Sequence, residues 1–400
     1  MKRYWKLIAI VTIIVLTIGT FYVKSALSAG SYTEIVFKKE KGNDEVVEPL
    51  ILHGNYYANK IGHEFEMTAE KTTFKRERSF LERISNMYRP EMKQLKDEYR
   101  SFMRGKKGSV SNYLNSEEVL AYVNIINQSI RETPSEMEFE VDILKKEPDK
   151  TVSFSLPVPN RALYANAHVL DVQMIDGDLK VVTSNYPKVS GENLTGEEFH
   201  VYSFDIEKQE INGEKEILAL GNDDSGNYET ISTMGEMNEM SPHPYMVFAM
   251  IDQESNTDRG EKAPSKNSSE FIIYNFENGK ESKVDVSMDI QFNGPYPYSF
   301  DDSNIYAIAG QKNSRIIMYN LESKKVENEV DIPDENSGES LFKTLNGKLY
   351  VLLSTMEDAS PNIHVFDTKT GDTLYEGEIA VEKPVKGNTF FHFYEMDFRK

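Results

Sequence analysis

Apolar and polar residues alternate in short stretches along most of the chain, and several of these stretches share one ending. Each of them ends in an aromatic residue followed by Asp or Asn, and a short polar turn and a second alternating stretch come next. The clearest copies occupy residues 199–205, 271–275, 316–320 and 363–367. Because alternation with a period of two is typical of half-buried strands, each copy predicts a β-hairpin.

The residue that ends each copy supports this interpretation. In chain order it is Asp205, Asn275, Asn320 and Asp367. The side chains of Asp and Asn bond to their own downstream backbone and so open turns. Successive copies lie 70, 45 and 47 residues apart, and apolar stretches at 245–251, 305–309 and 348–353 precede the last three. A unit of about 45 residues therefore holds four short strands, which is typical of a propeller blade.

Two weaker copies at residues 65–74 and 139–154 bring the predicted hairpins to six. The sequence thus predicts an all-β fold, a six-bladed β-propeller, with seven blades as the alternative. We expect the last stretch, residues 389–398, to close the propeller by pairing with amino-terminal strand material such as residues 34–37. Closure of this kind removes the exposed edges that an open sheet would leave.

One copy of the repeat resembles a known group. The segment IHVFDTKTGD at residues 363–372 resembles the blades of YVTN and quinoprotein-like propellers. The resemblance extends over about residues 141–379, and it implies the propeller fold without implying a function. The single tryptophan of the chain is Trp5, so the tryptophan docking motifs of quinoprotein dehydrogenases are missing.

The amino terminus differs from the repeats. Three cations precede an uncharged apolar run at about residues 7–23, an order that inserts with the amino terminus in the cytoplasm. The length of the run favours an uncleaved transmembrane anchor, whereas the small residues that follow allow a signal peptide of residues 1–29 to be cleaved after Ala29. Either outcome places residues 30–400, the predicted propeller domain, outside the cytoplasm, attached to the cell membrane or secreted.

The chain has 65 Asp and Glu residues against 45 Lys and Arg residues, a formal net charge of −20. Residues 1–29 contain four of the cations and no acid, so residues 30–400 carry −24. A body this acidic argues against nucleic-acid binding, which needs cations to neutralise phosphates. The chain has no cysteine, which excludes disulfides, thiolate metal sites and cysteine nucleophiles. The lack of cysteine also fits an exported protein of a Gram-positive cell envelope.

Residues 79–104 break the strand pattern and predict a helical insertion. Pro90 can open a helix, and apolar residues recur after it at helical spacing. The other side of this helix carries the cations Lys93, Lys96, Arg100 and Arg104. Residues 71–107 have a net charge of +7, so one interpretation is a surface that binds an anionic envelope polymer or an acidic protein. The other, which we favour, is a solvated face whose apolar side packs on a blade.

A polar loop before residue 245 contains methionines at a spacing of three. The candidate metal ligands of this loop are Met234, Met237, Met240 and His243. Thioether sulfur is a soft ligand that suits Cu(I), so this set predicts a copper site. The alternative, which we favour, is that the methionines fill gaps at the rim of the propeller.

The turn at residues 293–298 carries two aromatic side chains, Tyr296 and Tyr298, beside proline and glycine. On the face of a propeller these rings could stack on sugars. Proline and glycine already account for a rigid turn between blades, so we favour the turn. Residues 113–129 fit a second helix or a blade strand, and their pattern does not decide between the two.

No motif in the chain indicates catalysis. The sequence lacks the nucleophile elbow, the phosphate-binding loop and the zinc-protease helix, and its seven histidines are scattered. We therefore predict a binding module without a cofactor, attached to the membrane through its amino-terminal segment, that binds a protein or an anionic envelope polymer. A hydrolase or lyase acting on envelope polymer is the alternative, and converging carboxylates and histidines on one face of the structure would favour it.

Overall fold

The chain divides into two compact units in its computed structural model. The residues that the structure describes are 4–29, 34–58, 61–78, 90–107, 109–128, 136–188, 196–220, 228–233, 240–253, 269–285, 298–301, 303–309, 315–331, 339–354, 360–382 and 389–399. One unit consists of Met1–Met87 with Gln291–Lys400, and the other of Tyr88–Ile290.

The described elements are almost all strands. In chain order they are α1 (Trp5–Ala29), β1 (Ile35–Gly42), β2 (Leu50–Ala58), β3 (Ile61–Thr68), β4 (Thr72–Phe74), α2 (Pro90–Glu98), α3 (Arg100–Met103), β5 (Tyr113–Asn115), β6 (Val119–Ile126), β7 (Glu138–Lys145), β8 (Lys150–Pro157), β9 (Tyr164–Ile175), β10 (Asp178–Pro187), β11 (Glu198–Asp205), β12 (Glu210–Ala219), β13 (Tyr228–Thr233), β14 (Tyr245–Gln253), β15 (Ser269–Asn275), β16 (Lys280–Asp285), β17 (Tyr298–Phe300), β18 (Asn304–Ala309), β19 (Arg315–Asn320), β20 (Lys325–Asp331), β21 (Glu339–Leu345), β22 (Lys348–Ser354), β23 (Asn362–Asp367), β24 (Thr373–Val381) and β25 (Thr389–Phe398). Single turns of 3-10 helix lie at Asp44–Val46, Val110–Asn112 and Arg161–Leu163.

Within the described residues, the strands form six antiparallel sheets. Four of these sheets are meanders of four consecutive strands: β5–β8, β9–β12, β13–β16 and β17–β20. In the fifth sheet the strand order is β25-β2-β3-β4. In the sixth, β1 pairs with β24 at the edge of the meander β21–β24. Four-stranded antiparallel meanders are typical of propeller blades. The predicted all-β, propeller-like fold is confirmed at this level.

The predicted hairpins are the third and fourth strands of these sheets. The four clear copies of the repeat lie on β11, β15, β19 and β23, and each pairs with the strand that follows it. The two weaker copies lie on β3 and β7, which pair with β4 and β8. All six predicted hairpins are therefore confirmed. The sequence could predict them because a hairpin is marked by local signals, namely the alternation of its strands and, in the clear copies, the residue that opens its turn.

The last strand pairs with an amino-terminal strand, as predicted, but this strand is not the one given as the example. β25 lies antiparallel to β2, with Leu50 opposite Phe398. Ile35 and the residues that follow belong to β1, which pairs with β24 instead. The predicted partner at residues 34–37 is therefore wrong, although amino-terminal strands do complete both sheets. An alternating pattern marks a strand but does not say which strand lies beside it, since neighbours are chosen by the match of buried faces.

The predicted helical insertion contains two short helices, α2 and α3, separated at Tyr99 (φ −118°, ψ 47°). Residues 79–89 of the prediction lie outside the described residues. The apolar side of the helices is buried in one cluster with side chains of β5, β6 and β7. The members of this cluster on the helices are Met92, Leu95, Phe102 and Met103. The apolar side therefore packs on a sheet, and the undecided segment after residue 112 forms strands β5 and β6.

The amino-terminal helix α1 covers the apolar run predicted at residues 7–23. Among the residues that the structure describes, no helix is both long and apolar enough to cross a membrane. The predicted transmembrane segment is not confirmed.

The turns after the four clear copies share one arrangement. The side-chain Oδ1 of the last strand residue accepts a hydrogen bond from the backbone N–H three residues later, at 3.0, 2.9, 2.7 and 2.9 Å in chain order. The residue after that has a positive φ, and these residues are Gln209, Gly279, Lys324 and Gly371. Glycine adopts this left-handed conformation without steric cost. The predicted role of Asp and Asn in opening these turns is confirmed.

Asp367 makes one of these turns depend on pH. The backbone N–H groups of Thr370 and Lys369 hold the pKa of the Asp367 carboxyl below its usual range. A lowered pKa in the folded state means that the stabilisation is complete above the unfolded pKa of about 3.9 and is lost as the pH falls through the folded pKa. The Asp367→Asn variant should therefore lose stability less steeply than the wild type when urea denaturation is followed from about pH 5 to pH 2.

The matched control is Asn275→Asp, which places a carboxylate in the equivalent turn, where Asn275 already accepts the backbone N–H of Asn278. This variant should make the acid dependence steeper than in the wild type. Parallel pH curves for wild type and Asp367→Asn would contradict the proposed contribution of the turn.

Candidate functional site

Polar side chains are buried mainly in one sheet, β9–β12. Among the described residues, the buried polar residues that belong to this sheet are Asp171, Gln173, Thr183, Ser184, Asn185 and His200. A polar group removed from water destabilises the fold unless it forms a hydrogen bond. This sheet is therefore where the structure has to build networks of polar groups, and where a binding or catalytic site is best sought.

The two faces of this sheet carry separate networks. Val181 and Tyr202 belong to the apolar cluster shared with β5–β8, whereas Val182 belongs to the cluster shared with β13–β16. Side chains alternate between faces along a strand. His200 therefore lies on the face of Tyr202, and Asp171, which is paired with Val182, lies on the opposite face.

The first network surrounds an imidazole with carboxylates. His200 is only 5% exposed, and its Nε2 lies 3.2 Å from Oε2 of Glu198. Its other ring nitrogen, Nδ1, lies 3.5 Å from Oε1 of Glu214. Glu216 is the cross-strand neighbour of His200, and ligand atoms of Glu198, His200 and Glu216 all lie within 4.8 Å of one another. We call these four residues the His200 cluster.

Two irregularities in the pairing of β11 with β12 place the glutamates in this cluster. Phe199 is opposite Leu218, but His200 is opposite Glu216, so Ile217 has no partner in the register. A second shift follows between Ser203 and Phe204. Such bulges re-aim the side chains of the strand that contains them. Without the first bulge, apolar Ile217 would stand opposite His200 in place of Glu216.

Further hydrogen bonds hold the cluster in place. The hydroxyl of Tyr164 donates to Oε2 of Glu198 at 2.8 Å. Burial, followed by this bond to Glu198, raises the pKa of Tyr164, so its hydroxyl stays protonated and remains a donor. Asn185 donates to the hydroxyl of Tyr202 at 3.0 Å, and the Tyr202 ring stacks on His200 with centroids 5.9 Å apart. The imidazole and the Glu198 carboxylate are thus supported from three strands.

Basic side chains of the described residues do not balance the charges of the cluster. No Lys or Arg among the described residues forms an ion pair with Glu198, Glu214 or Glu216. One imidazole and three carboxylates leave an excess of negative charge even when the imidazole is protonated. The arrangement can therefore hold a proton or a metal cation, and an imidazole beside carboxylates is also suited to general acid–base chemistry.

A second group of possible metal ligands lies in the other unit, on β2 and β25. It consists of His53, Glu395 and Asp397. Here Lys343 Nζ lies 2.8 Å from Oδ1 of Asp397 and already neutralises this carboxylate. A nearby ammonium also repels a metal cation, so this group is less suited to bind one.

The second network, on the opposite face of β9–β12, fixes a segment of chain. His243 Nε2 donates to Oδ2 of Asp171 at 2.8 Å, and the Asp171 side chain is 3% exposed. Gln173 accepts the backbone N–H of His243 at 3.1 Å. The other ring nitrogen of His243 lies 3.1 Å from the carbonyl oxygen of Ser241. Both ring nitrogens of His243 are engaged, so this pair holds the segment before β14 against β9.

The cations predicted as a binding surface lie on α2, on α3 and directly after α3. Lys93, Arg100 and Arg104 are exposed, and Lys96 is half-buried. Arg100 pairs with Asp97 at 3.7 Å, where both side chains are largely exposed. The structure therefore leaves three of the four predicted cations exposed, and the binding surface itself stays a prediction.

The remaining predicted site residues are not brought together within the described part of the chain. Met240 is buried in the apolar cluster under α2 and α3, and His243 pairs with Asp171. Met234, Met237 and Tyr296 lie outside the described residues, and Tyr298 is the first residue of β17. The copper site and the sugar-stacking turn both stay predictions.

The sequence prediction missed the His200 cluster. The pairs Glu198 with His200 and Glu214 with Glu216 each have a spacing of two, in consecutive stretches of strand pattern. A spacing of two places both members of a pair on the same face of a strand. This spacing can be seen in the sequence, but carboxylates are so abundant in the chain that the two pairs do not stand out. The bulges that align the two pairs cannot be predicted from the local sequence.

No protein-family model matches the chain, and no curated protein is similar to it in sequence. Comparison with solved structures gives matches of low similarity. An uncharacterised protein from Listeria monocytogenes EGD-e is 8% identical with a TM-score of 0.34, over 69% of this chain and 68% of that one. A puromycin-hydrolysing peptidase from Mycobacterium tuberculosis is 11% identical with a TM-score of 0.32, over 86% of this chain and 55% of that one.

The β-propeller domain of the Trilobed protease from Pyrococcus furiosus is 13% identical with a TM-score of 0.23, over 65% of this chain and 80% of that one. At such identities and TM-scores these similarities carry no information on activity. The resemblance to propellers is one of fold, and it rests on the sheets described above.

The buried pair of Asp171 and His243 should make a large contribution to stability. We expect His243→Ala to lower the free energy of unfolding by about 3 kcal/mol, because it removes the imidazole that lies 2.8 Å from the buried Asp171 carboxylate. The double variant Asp171→Asn/His243→Ala should lose less, since no buried charge remains. Chemical denaturation followed by circular dichroism measures both.

The matched control for this pair is Asp97→Ala, which removes the exposed ion pair with Arg100. It should change the free energy of unfolding by no more than about 0.5 kcal/mol. If the single and double variants at Asp171 and His243 lost the same stability, the interaction between the two residues would not be the source of the effect.

Proposed function

We propose that the chain is a six-bladed, propeller-based binding module that is attached to the outside of a Gram-positive cell membrane and binds an anionic polymer of the envelope. The proposal has two parts, the attachment through α1 and the binding surface on α2 and α3. Each part rests on its own observation and has its own test.

The attachment is supported by apolar side chains exposed around α1. About half or more of the surface of each of the following side chains is exposed: Ile10, Val11, Ile13, Ile14, Val15 and Leu16. Consecutive residues point in different directions around a helix, so these side chains cover all its sides. A helix that is apolar all round is stable only where other apolar material, such as lipid, covers it.

The binding surface is the single observation that carries the functional proposal. Lys93 and Arg100 are exposed on helices whose apolar side is buried against β5–β7, and the exposed Arg104 directly follows α3. In this proposal the packing gives the cations a rigid support. The rest of residues 30–400 is strongly acidic, with −31 outside residues 71–107. A polyanion should therefore be attracted to this surface and repelled from most others.

Charge reversal tests the binding surface. The triple variant Lys93→Glu/Arg100→Glu/Arg104→Glu should bind purified teichoic acid at least about tenfold more weakly than the wild type at low salt, and the salt dependence of binding should flatten. The matched control reverses three exposed lysines elsewhere, Lys145→Glu/Lys325→Glu/Lys369→Glu, with the same change in net charge.

Equal losses in the two triple variants would show that net charge alone governs binding, which contradicts a defined surface. If the protein captures a protein partner at moderate salt and does not bind the polymer, the polymer proposal is wrong and the ligand is a protein.

Substitution in α1 tests the attachment. The double variant Ile13→Glu/Leu16→Glu should move the protein from the membrane fraction to the soluble fraction, because each charge at the centre of an apolar helix disfavours insertion by about 2.5–3.5 kcal/mol. Fractionation of cells with carbonate washing measures the distribution. Release of the wild-type protein into the medium, shortened by about 29 residues, would instead support the cleaved signal.

A hydrolase or lyase that acts on envelope polymer is the second candidate. The His200 cluster favours it, because carboxylates and an imidazole converge there on one face of a sheet. Soluble fragments released from the polymer during the binding assay would support this candidate.

A further inference from the structure

One ring nitrogen of His200 has an unmet bonding need. Nε2 lies 3.2 Å from Oε2 of Glu198, and Nδ1 is buried without a hydrogen-bond partner, 3.5 Å from Oε1 of Glu214. A neutral imidazole carries only one proton, so one of its nitrogens presents a lone pair to a carboxylate, which offers only further lone pairs. When the proton is on Nδ1, facing Glu214, this pair of electron-rich groups is Nε2 and Glu198. Two electron-rich groups held together in this way are stabilised when a cation lies between or beside them.

The surrounding charge adds a second, independent requirement for a cation. Glu198 and Glu216 bring carboxylate oxygens within 4.8 Å of each other and of the imidazole. No Lys or Arg of the described residues forms an ion pair with either carboxylate, in contrast with Lys343 beside Asp397 in the other group. The repulsion between these carboxylates is relieved by a bound cation.

The positions of these groups are set by the sheet and not by flexible loops. Glu198 and His200 are two residues apart on β11, and the bulge at Ile217 brings Glu216 opposite His200 on β12. Tyr164 donates a hydrogen bond to the Glu198 carboxylate. Carboxylates that bind metals are commonly oriented by such an outer hydrogen bond.

From these observations we propose that Glu198, His200 and Glu216 bind a divalent transition-metal cation, for which Zn²⁺ is the best match. An imidazole nitrogen and carboxylate oxygens are ligands that Zn²⁺ accepts, whereas Ca²⁺ and Mg²⁺ prefer oxygen alone. Three protein ligands leave a coordination position for water or for a substrate group. Glu216 is exposed, so the cation has access from solvent. This site is separate from the cationic surface of α2 and α3 and does not depend on it.

Metal titration of the full-length protein tests the proposal. The protein is treated with EDTA in detergent, dialysed and titrated with ZnCl₂ in a calorimeter. We expect one saturable Zn²⁺ site, with weaker binding of Mn²⁺ and still weaker binding of Ca²⁺. Glu216→Gln, at an exposed position that should leave the fold intact, should weaken Zn²⁺ binding at least about tenfold, and Glu198→Gln/Glu216→Gln at least about a hundredfold.

Two control variants locate the site. Glu210→Gln removes an exposed carboxylate from the same strand β12, and His53→Gln disables the other group of ligands. Neither should change Zn²⁺ affinity. X-ray absorption of the Zn²⁺-loaded protein should show nitrogen and oxygen ligands without sulfur. The proposal is overturned if the wild type shows no saturable Zn²⁺ binding, if Glu216→Gln binds as tightly as wild type, if either control weakens binding equally, or if sulfur ligates the metal.

Discussion

Burial of both faces of the sheet β9–β12 is the constraint on which the candidate site depends. One face shares an apolar cluster with β5–β8, and the other shares a cluster with β13–β16. The ring of Phe139 on β7 lies 5.0 Å from that of Tyr202 and 5.2 Å from that of Phe204 on β11. Water does not reach the side chains buried between packed sheets, so the buried polar groups must find their partners within the protein.

The two networks of this sheet meet the constraint in different ways. On one face, Asp171 and Gln173 form hydrogen bonds with His243. These bonds hold the segment before β14 in place. On the other face, Tyr164 and Asn185 stabilise the surroundings of His200, but the imidazole itself faces carboxylates on two sides. Such an incompletely satisfied group inside a rigid frame is typical of a functional site, because natural proteins retain unsatisfied polar groups where chemistry requires them.

The same unit also carries the cations of α2 and α3, and the physical roles of the two features differ. Exposed cations act over a distance comparable to the Debye length, about 8–10 Å at moderate ionic strength, and favour polyanions without strict geometry. The proposed metal site in the His200 cluster would act over bond lengths and select a ligand by its charge and preferred donors. The proposed polymer-binding surface and the proposed metal site are therefore compatible in one module.

The sequence by itself determined the six hairpins, the Asp and Asn turns and the apolar side of the inserted helices. All of these depend on local chemistry: the period of two in a strand, a side chain that bonds its own backbone, and the spacing of apolar residues on a helix. Only the tertiary structure decided that β25 lies against β2, and that Glu216 stands opposite His200. Strand neighbours and bulges follow from how buried faces match between segments far apart in the chain, and no local pattern records that match.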